Sequence, residues 1–306
     1  MIYTVTLNPS LDFHSELSEL RRGRINYSSE DHMYAGGRAI NVSRVLRILG
    51  LPTMATGFLG GKTGAFIEEE LDRCDIPNDF VHVEGMTRIN LNLFADHVET
   101  RIIGAGPNIS INEINELMYY ISRVREGDFV IMGGSLPPNV SSNVYDRIIE
   151  ICIVNKAQFI PIIPTDLLFH VFPKKPLIVA PTLVELSSIF DVRLTSLEEA
   201  IPYAMKCVEA GAQNIIVSSD RLGSILVTSD GQVLQASGPD GAIISSTSTN
   251  VSLIAGFIGS YMRTNDPVQS FRHGQAASNA AHLSRALPTR EQIDDAYRAV
   301  EVLPLS

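Results

Sequence analysis

The alternation of strand-like and helix-like segments along most of the chain constrains the fold more than any other feature. Apolar runs of strand length, such as residues 2–7 and 129–132, are followed by longer segments with apolar residues at helical spacing, such as residues 39–49. Strands that alternate with helices pair in parallel, because each helix carries the chain back across a face of the sheet. The pattern therefore predicts an α/β fold with a mainly parallel central sheet and helices on both faces.

Two stretches interrupt this alternation. Residues 13–33 are polar and irregular, whereas residues 90–103 alternate between apolar and polar positions through Leu91 and Leu93. Alternation with a period of two is typical of an exposed antiparallel ribbon. Because both stretches fall between core elements, we expect them to form a small β lid over one end of the sheet. No linker or repeat divides the chain, so we expect a single domain over residues 1–306.

Composition excludes several classes of partner. The formal net charge is −10, and no cluster of basic residues interrupts it, which argues against nucleic-acid binding. The cysteines, Cys74, Cys152 and Cys207, are widely spaced and show no pairing pattern, as expected for reduced thiols in a cytoplasmic protein. The longest apolar helical run, residues 251–262, is too short to span a bilayer. We predict a cytoplasmic protein without nucleic-acid or membrane partners.

Polar residues follow the first predicted strand and open the first predicted helix. Asp12 lies just beyond the carboxyl end of that strand, where open α/β sheets bind ligands, and its carboxylate can accept hydrogen bonds from two neighbouring sugar hydroxyls. Gly36 and Gly37 permit close approach of a ligand to the helix start, and Asn41 can bind a pair of hydroxyls. The alternatives are an aspartate that caps a turn and a tight strand-to-helix connection.

A second helix start has the features of an anion site but lacks an acid. Ser248, Thr249 and Asn250 form a loop of small polar residues that runs directly into an apolar helix. Such a helix start directs backbone N–H groups and the helix dipole towards an anion. A phosphoryl-transfer enzyme needs a carboxylate in this first turn to take the proton of the acceptor hydroxyl. Val251 occupies the turn here and can accept no proton.

Together, these motifs resemble the PfkB (ribokinase-like) carbohydrate kinase family, in particular its phosphohexose branch of 1-phosphofructokinase, 6-phosphofructokinase and tagatose-6-phosphate kinase. The resemblance follows the order and spacing of short motifs at residues 6–12, 36–42, 57–61, 87–90, 134–138 and 255–257. It implies a ribokinase-like three-layer sandwich with a small β lid, ATP and Mg²⁺ as cofactors, and a homodimer that pairs through the lid.

The resemblance implies roles for residues on the sugar side. It assigns hydroxyl binding to Asp12 and Asn41, binding of the substrate's own phosphate to Arg88, and closure of the pocket to Ser135. Arg38 stands where the family usually has lysine or glycine, which implies a narrower entrance to the sugar pocket. The substrate-binding set that the resemblance implies is Asp12, Gly36, Gly37, Arg38, Asn41, Arg88 and Ser135.

The nucleotide side departs much further from the family pattern. Val251 stands at the position of the family's catalytic base, and Asp220 puts a carboxylate where phosphates pass. Glu185 keeps the acid that helps to hold Mg²⁺ through water. The full cofactor-binding set that the resemblance implies is Glu185, Ser218, Asp220, Gly223, Ser248, Thr249 and Asn250. Because a general base contributes about 10²–10⁴-fold, we predict phosphoryl transfer near background.

Three functions remain open at this point. The first is a catalytically impaired family member that binds a phosphorylated ketohexose and acts as a sensor or regulatory partner. The second is a working ATP-dependent phosphohexose kinase with a displaced base or water-assisted transfer, for which Asp220 and Asp240 are the nearby substitutes. The third is a non-catalytic interaction module in which both pockets have collapsed.

Overall fold

The computed structural model describes residues 1–96, 98–284 and 286–305. The strands are β1 (Ile2–Thr6), β2 (Ser10–Leu17), β3 (Ser28–Gly36), β4 (Thr53–Leu59), β5 (Val81–His82), β6 (Arg88–Ala95), β7 (Val98–Ile103), β8 (Phe129–Gly133), β9 (Gln158–Ile162), β10 (Asn214–Ser219), β11 (Gly223–Thr228), β12 (Val233–Ala236) and β13 (Val302–Pro304). The helices are α1 (Arg38–Ile48), α2 (Gly61–Arg73), α3 (Ile111–Ile121), α4 (Asn143–Val154), α5 (Thr165–Val171), α6 (Leu183–Ile189), α7 (Leu197–Glu209), α8 (Thr249–Thr264), α9 (Pro267–His282) and α10 (Arg290–Ala299).

The central sheet is parallel throughout, in the order β5-β4-β1-β8-β9. Its register places Gly57, Thr6, Gly133 and Ile162 in one row across four neighbouring strands. Each of these residues lies at or near the end of its strand, so the row marks the carboxyl edge of the sheet. The predicted α/β class with a parallel central sheet is confirmed.

Apolar side chains cover both faces of this sheet. In β8, Val130 and Met132 belong to one buried cluster, which includes residues of α3, α4 and α7. Phe129 and Ile131 belong to the other, which includes residues of α1 and α8. Because successive side chains of a strand point to opposite faces, helices pack on both sides and form three layers. Each fully buried aliphatic side chain contributes about 1.5–3 kcal/mol, so these clusters dominate the stability of the fold.

An antiparallel sheet extends the central one. Its strand order is β10-β11-β12-β13. Residues 177–179 connect the two sheets by hydrogen bonds: the Leu177 N–H donates to Phe159 O at 3.1 Å, the Val179 N–H donates to Asn214 O at 3.0 Å, and the Ile216 N–H donates to Val179 O at 3.0 Å. The parallel pattern therefore holds for the central sheet, and the carboxyl-terminal third of the chain adds an antiparallel edge.

A separate small sheet has the order β3-β2-β6-β7. The irregular residues 13–33 form most of β2 and β3, and residues 90–103 form most of β6 and β7, with residue 97 outside the described part. The polar residues of β3 reflect exposure, since residues 28–34 are all exposed, and β7 is likewise exposed along its whole length. The β2–β6 pair is parallel and places Ser10 opposite Arg88 and Asp12 opposite Asn90.

The start of α7 is capped by a side chain. Ser196 caps the helix by accepting a hydrogen bond from the Glu199 N–H. The Glu199 carboxylate accepts the Thr195 N–H at 2.7 Å. Pro202 lies inside the helix without ending it. Among the helices described, none combines the length and apolar character needed to cross a membrane.

Candidate functional site

Asp12 is the centre of the sugar side. It lies on β2, where its Oδ1 accepts hydrogen bonds from the Ser10 hydroxyl at 2.7 Å and from the Asn90 amide at 2.8 Å. Gly36, at the end of β3, packs directly against this carboxylate. A β-carbon at Gly36 would overlap the Asp12 carboxylate oxygens, so any larger residue would displace them. The Asp12 side chain is therefore held on several sides.

Arg88 lies beside Asp12 on the neighbouring strand. Its Nη1 donates to the Gly104 carbonyl at a long 3.4 Å, and its buried Nε has no hydrogen-bond partner within the described residues. Burial lowers the pKa of Arg88, and the charge of Asp12 acts in the opposite direction. A partly buried guanidinium with unused donors is well suited to grip a phosphate.

Other buried polar atoms without partners lie at the carboxyl edge of the central sheet. Within the described residues, Thr6 Oγ1, Asn8 Oδ1 and Ser135 Oγ form no hydrogen bonds. The Asn8 amide is fixed by donating to the Ala105 and Leu136 carbonyls, both at 3.1 Å. Each unpaired buried polar group costs about 1–3 kcal/mol, so several at one edge indicate a place where a polar ligand completes the structure.

The start of α1 completes the sugar side. Gly37 is the N-cap residue and has φ 131°, and a β-carbon there would lie 2.9 Å from Thr6 Cγ2. Asn41 is half-buried in the first turn, where its backbone N–H donates to Gly37 O at 2.9 Å. Arg38 is exposed at the first helical position. The structure places the predicted sugar-side residues on or next to β2, β3, β6 and β8 and at the start of α1.

The helix start of α8 makes most of its polar contacts within the protein. The Asn250 amide donates to Ala180 O at 2.7 Å, and the Thr249 hydroxyl donates to Ser246 O at 3.1 Å. Ser248 is the N-cap residue and makes no capping hydrogen bond with its side chain. Asn250 Oδ1 is buried without a partner among the described residues. The side-chain donors of Thr249 and Asn250 are therefore already used.

Asp220 occupies the turn between β10 and β11 and is held by two side chains. The Ser246 hydroxyl donates to Asp220 Oδ2 at 2.9 Å, and Nε2 of the buried His282 lies 3.3 Å from Asp220 Oδ1. The carboxylate therefore lies close to the start of α8. Gly223 faces Ser219 across this turn at the beginning of β11.

Glu185 and Ser218 lie on adjoining segments. Glu185 forms a capping box with Thr182, in which Glu185 Oε2 accepts the Thr182 N–H at 2.8 Å. The Ser218 N–H donates to Pro181 O at 3.1 Å. One carboxylate oxygen of Glu185, Oε1, remains for the predicted water-mediated contact with Mg²⁺.

Val251 is 5% exposed and belongs to the same apolar cluster as Phe129 and Ile131. The first turn of α8 contains no acidic residue. Of the two substitute acids, Asp220 is engaged by Ser246 and His282, and Asp240 is exposed. Neither lies in this first turn.

The nucleotide side fits a triphosphate poorly. Asp220 places a negative charge beside the helix start, and the side-chain donors of Thr249 and Asn250 are bound to backbone carbonyls. Within the described residues, no group of three or more His, Cys, Asp or Glu side chains could hold a metal ion. Mg²⁺ often takes one or two carboxylates and completes its shell with phosphates and water, so Glu185 alone would depend on the nucleotide for the other ligands.

Two residues of the site, Asn90 and His282, were not predicted from the sequence. Asn90 lies two positions after Arg88 on β6, and residues at that spacing share a face of a strand, which is the signal that could have marked it. His282 lies at the end of α9 and meets Asp220 across 62 positions of sequence, so no local pattern reveals it.

The chain is similar in sequence and in fold to known proteins. The 1-phosphofructokinase of Bacillus subtilis (strain 168) is 35% identical over 305 residues, covering 100% of both chains. The D-tagatose-1-phosphate kinase of Bacillus licheniformis is 30% identical over 306 residues, again covering 100% of both. The structure of Escherichia coli phosphofructokinase-2 in complex with fructose-6-phosphate shares the fold, with a TM-score of 0.89 at 24% identity over 97% of this chain and 98% of that one. The sequence model of the pfkB family carbohydrate kinases matches residues 9–287, so the chain belongs to that family.

Proposed function

We propose that this protein binds a phosphorylated ketohexose, a fructose or tagatose phosphate, and that its ATP-dependent phosphoryl transfer is impaired. One observation carries the second half of the proposal: the first turn of α8 has no acid, and Val251 packs there into an apolar cluster. A positioned general base contributes about 10²–10⁴-fold, and preorganised donors around the transferred group contribute a similar factor. Loss of the base, with the charge of Asp220 close to the helix start, leaves turnover near background.

The sugar side supports the first half of the proposal. Asp12 is oriented by Ser10 and Asn90, and Arg88 keeps a buried donor free. The relatives named 1-phosphofructokinase and D-tagatose-1-phosphate kinase match over the whole chain. A collapsed interaction module would be expected to pair or expose these groups, so the unpaired buried atoms favour a ligand over that alternative.

An active phosphohexose kinase is the second candidate. The full-length match to a 1-phosphofructokinase at 35% identity favours it. It requires a proton acceptor from another segment, and Asp220 would have to leave both Ser246 and His282 to serve.

Two measurements on the same preparation separate these candidates. We expect titration calorimetry to show binding of at least one of fructose 1-phosphate, fructose 6-phosphate, tagatose 1-phosphate and tagatose 6-phosphate. A coupled ADP-release assay should then show no turnover of the bound sugar. Asp12→Asn is the control that should abolish the calorimetric signal. Sustained ADP release that depends on one of these sugars would establish the active kinase instead.

We also propose that the small sheet acts as a lid, that it pairs with a second copy in a homodimer, and that the protein is cytoplasmic. The exposed apolar residues of that sheet support pairing: Met33, Phe94, Val98, Ile102 and Ile103. Its fold relative from Escherichia coli forms a tetramer in its inhibited form. The free cysteines support a reducing compartment. Sedimentation of a monomer at micromolar concentration would refute the dimer.

A further inference from the structure

The contacts of Asn90 account for the orientation of Asp12. Asn90 is 5% exposed, and its Nδ2 donates to Asp12 Oδ1 at 2.8 Å and to Ser10 Oγ at 2.9 Å. Ser10, itself 1% exposed, donates its hydroxyl proton to the same Asp12 oxygen at 2.7 Å. Asp12 Oδ1 thus receives two hydrogen bonds from the protein.

The amide of Asn90 has only one consistent orientation. Its Oδ1 accepts the Gly104 N–H at 3.3 Å, at the point where the chain leaves β7. A flipped amide would point its NH₂ group at that N–H and its oxygen at the Asp12 carboxylate, which are both repulsive arrangements. Asn90 therefore presents a donor, and only a donor, to Asp12.

Gly36 lies against the carboxylate from another direction, because Asp12 occupies the space that a β-carbon at Gly36 would fill. Asp12 Oδ2 makes no hydrogen bond within the described part of the chain, in contrast to Oδ1. One oxygen is thus occupied by the protein and the other remains for a ligand.

We propose that Asn90, assisted by Ser10, is a positioning residue that occupies Asp12 Oδ1 and leaves Asp12 Oδ2 as the carboxylate oxygen that accepts hydrogen bonds from the sugar. This inference rests on the proposed binding of a phosphohexose. The sequence-based expectation is that the Asp12 carboxylate accepts neighbouring sugar hydroxyls, and the proposal assigns that role to one of its two oxygens.

The strand offers a matched control for testing this role. Asn92 is also an asparagine of β6, lies on the same face two positions on, and is 2% exposed. Asn92 Nδ2 lies 3.2 Å from His14 Nε2, and Asn92 Oδ1 accepts a hydrogen bond from Arg101 Nε at 3.1 Å. Both ends of the amide are thus engaged away from Asp12. Asn90→Asp and Asn92→Asp make the same chemical change. The first removes a hydrogen bond to Asp12, and the second leaves the hydrogen bonds of Asp12 unchanged.

Calorimetric titration with the phosphohexose that the wild-type protein binds best is the test. At pH 7.5 we expect Asn90→Asp to weaken binding about 10–100-fold, because a charge-assisted hydrogen bond is replaced by repulsion between two carboxylates. Asn92→Asp should change the affinity less than about threefold, in line with a substitution that leaves the ligand contacts intact.

A pH profile distinguishes positioning from a structural defect. Two facing carboxylates share a proton as the pH falls, and the shared proton restores a donor to Asp12. The affinity of Asn90→Asp should therefore recover towards the wild-type value between pH 7.5 and pH 5, whereas that of Asn92→Asp should not. Arg88 and His14 also act on or respond to the charge of Asp12, so the wild-type profile is the baseline.

Each outcome decides the matter. Wild-type affinity in Asn90→Asp, or an equal loss without pH recovery in both variants, overturns the inference. If Asn90→Asp does not fold, Ser10→Ala replaces it, with an expected loss of about threefold to tenfold; unchanged affinity in that variant is equally decisive against the inference. Absence of phosphohexose binding in the wild-type protein refutes the proposed function itself and this inference with it.

Discussion

Replacing Val251 with aspartate returns a carboxylate to the first turn of α8, and its cost can be worked from the structure. Val251 is 5% exposed, so the change gives up most of its burial. A fully buried valine contributes about 1.5–3 kcal/mol, and a carboxylate at the positive end of a helix regains about 0.3–1 kcal/mol. Partial desolvation of the new charge adds to the cost, for a net loss of about 2–3 kcal/mol. At about 2 °C per kcal/mol for a chain of this size, the melting temperature should fall by about 4–6 °C.

The same variant is informative about catalysis. An added base alone is worth about 10²–10⁴-fold when the rest of the site is intact. Because Asn250 and Asp220 still occupy the nucleotide side, we expect ADP release in the presence of a phosphohexose to rise less than about tenfold. Val251→Asn is the control: it loses the same burial but supplies no base, so its melting temperature should fall while ADP release stays at background.

Two results would refute this reasoning. A rise in ADP release of more than about 100-fold from Val251→Asp alone would show that the engaged donors of Asn250 and the charge of Asp220 do not obstruct transfer. An unchanged melting temperature in both variants would show that Val251 contributes nothing to the apolar cluster beneath α8.

Further predictions concern three other positions. Gly36→Ala should abolish calorimetric binding of phosphohexose with little loss of secondary structure by circular dichroism, because its β-carbon displaces the Asp12 carboxylate; retained binding would contradict the packing of Gly36. Asp220→Gly should increase ATP binding, measured as a rise in melting temperature on adding ATP, because it removes a negative charge beside α8; an unchanged response would show that Asp220 does not hinder ATP. Burial lowers the pKa of His14 below its ordinary value of 6.5, so the folded protein binds this proton less readily than the unfolded chain and loses stability as the pH falls below 6.5. The melting temperature should decline more steeply between pH 7 and pH 5 in wild type than in His14→Phe, and parallel profiles would contradict this.

The central part of the fold was predictable because its signals are local. The first strand, predicted at residues 2–7, is β1 (Ile2–Thr6), and the first helix, predicted at residues 39–49, is α1 (Arg38–Ile48). Apolar spacing along a few turns determines such elements without reference to the rest of the chain. α9 is different. Many of its residues are small, including Gly274, and it packs closely on Phe257 of α8, so its pattern carries little apolar periodicity.

The candidate site divides in the same way. Asp12, Arg88 and the missing acid at Val251 could be named from the sequence, because each lies in a short motif whose residue types carry the chemistry. Which oxygen of Asp12 remains free could not, since that depends on the parallel pairing of β2 with β6 and on Asn90, 78 positions away.

The sequence by itself determined the family, the parallel core and the lack of a proton acceptor at the start of α8, since these follow from residue identity and local periodicity. Only the tertiary structure decided that Asn90 orients Asp12, that His282 and Ser246 hold Asp220, and that the sheet ends in antiparallel strands. Hydrogen bonds between distant segments depend on strand register and helix packing, and the free energy that selects among registers comes from the whole core rather than from any one segment.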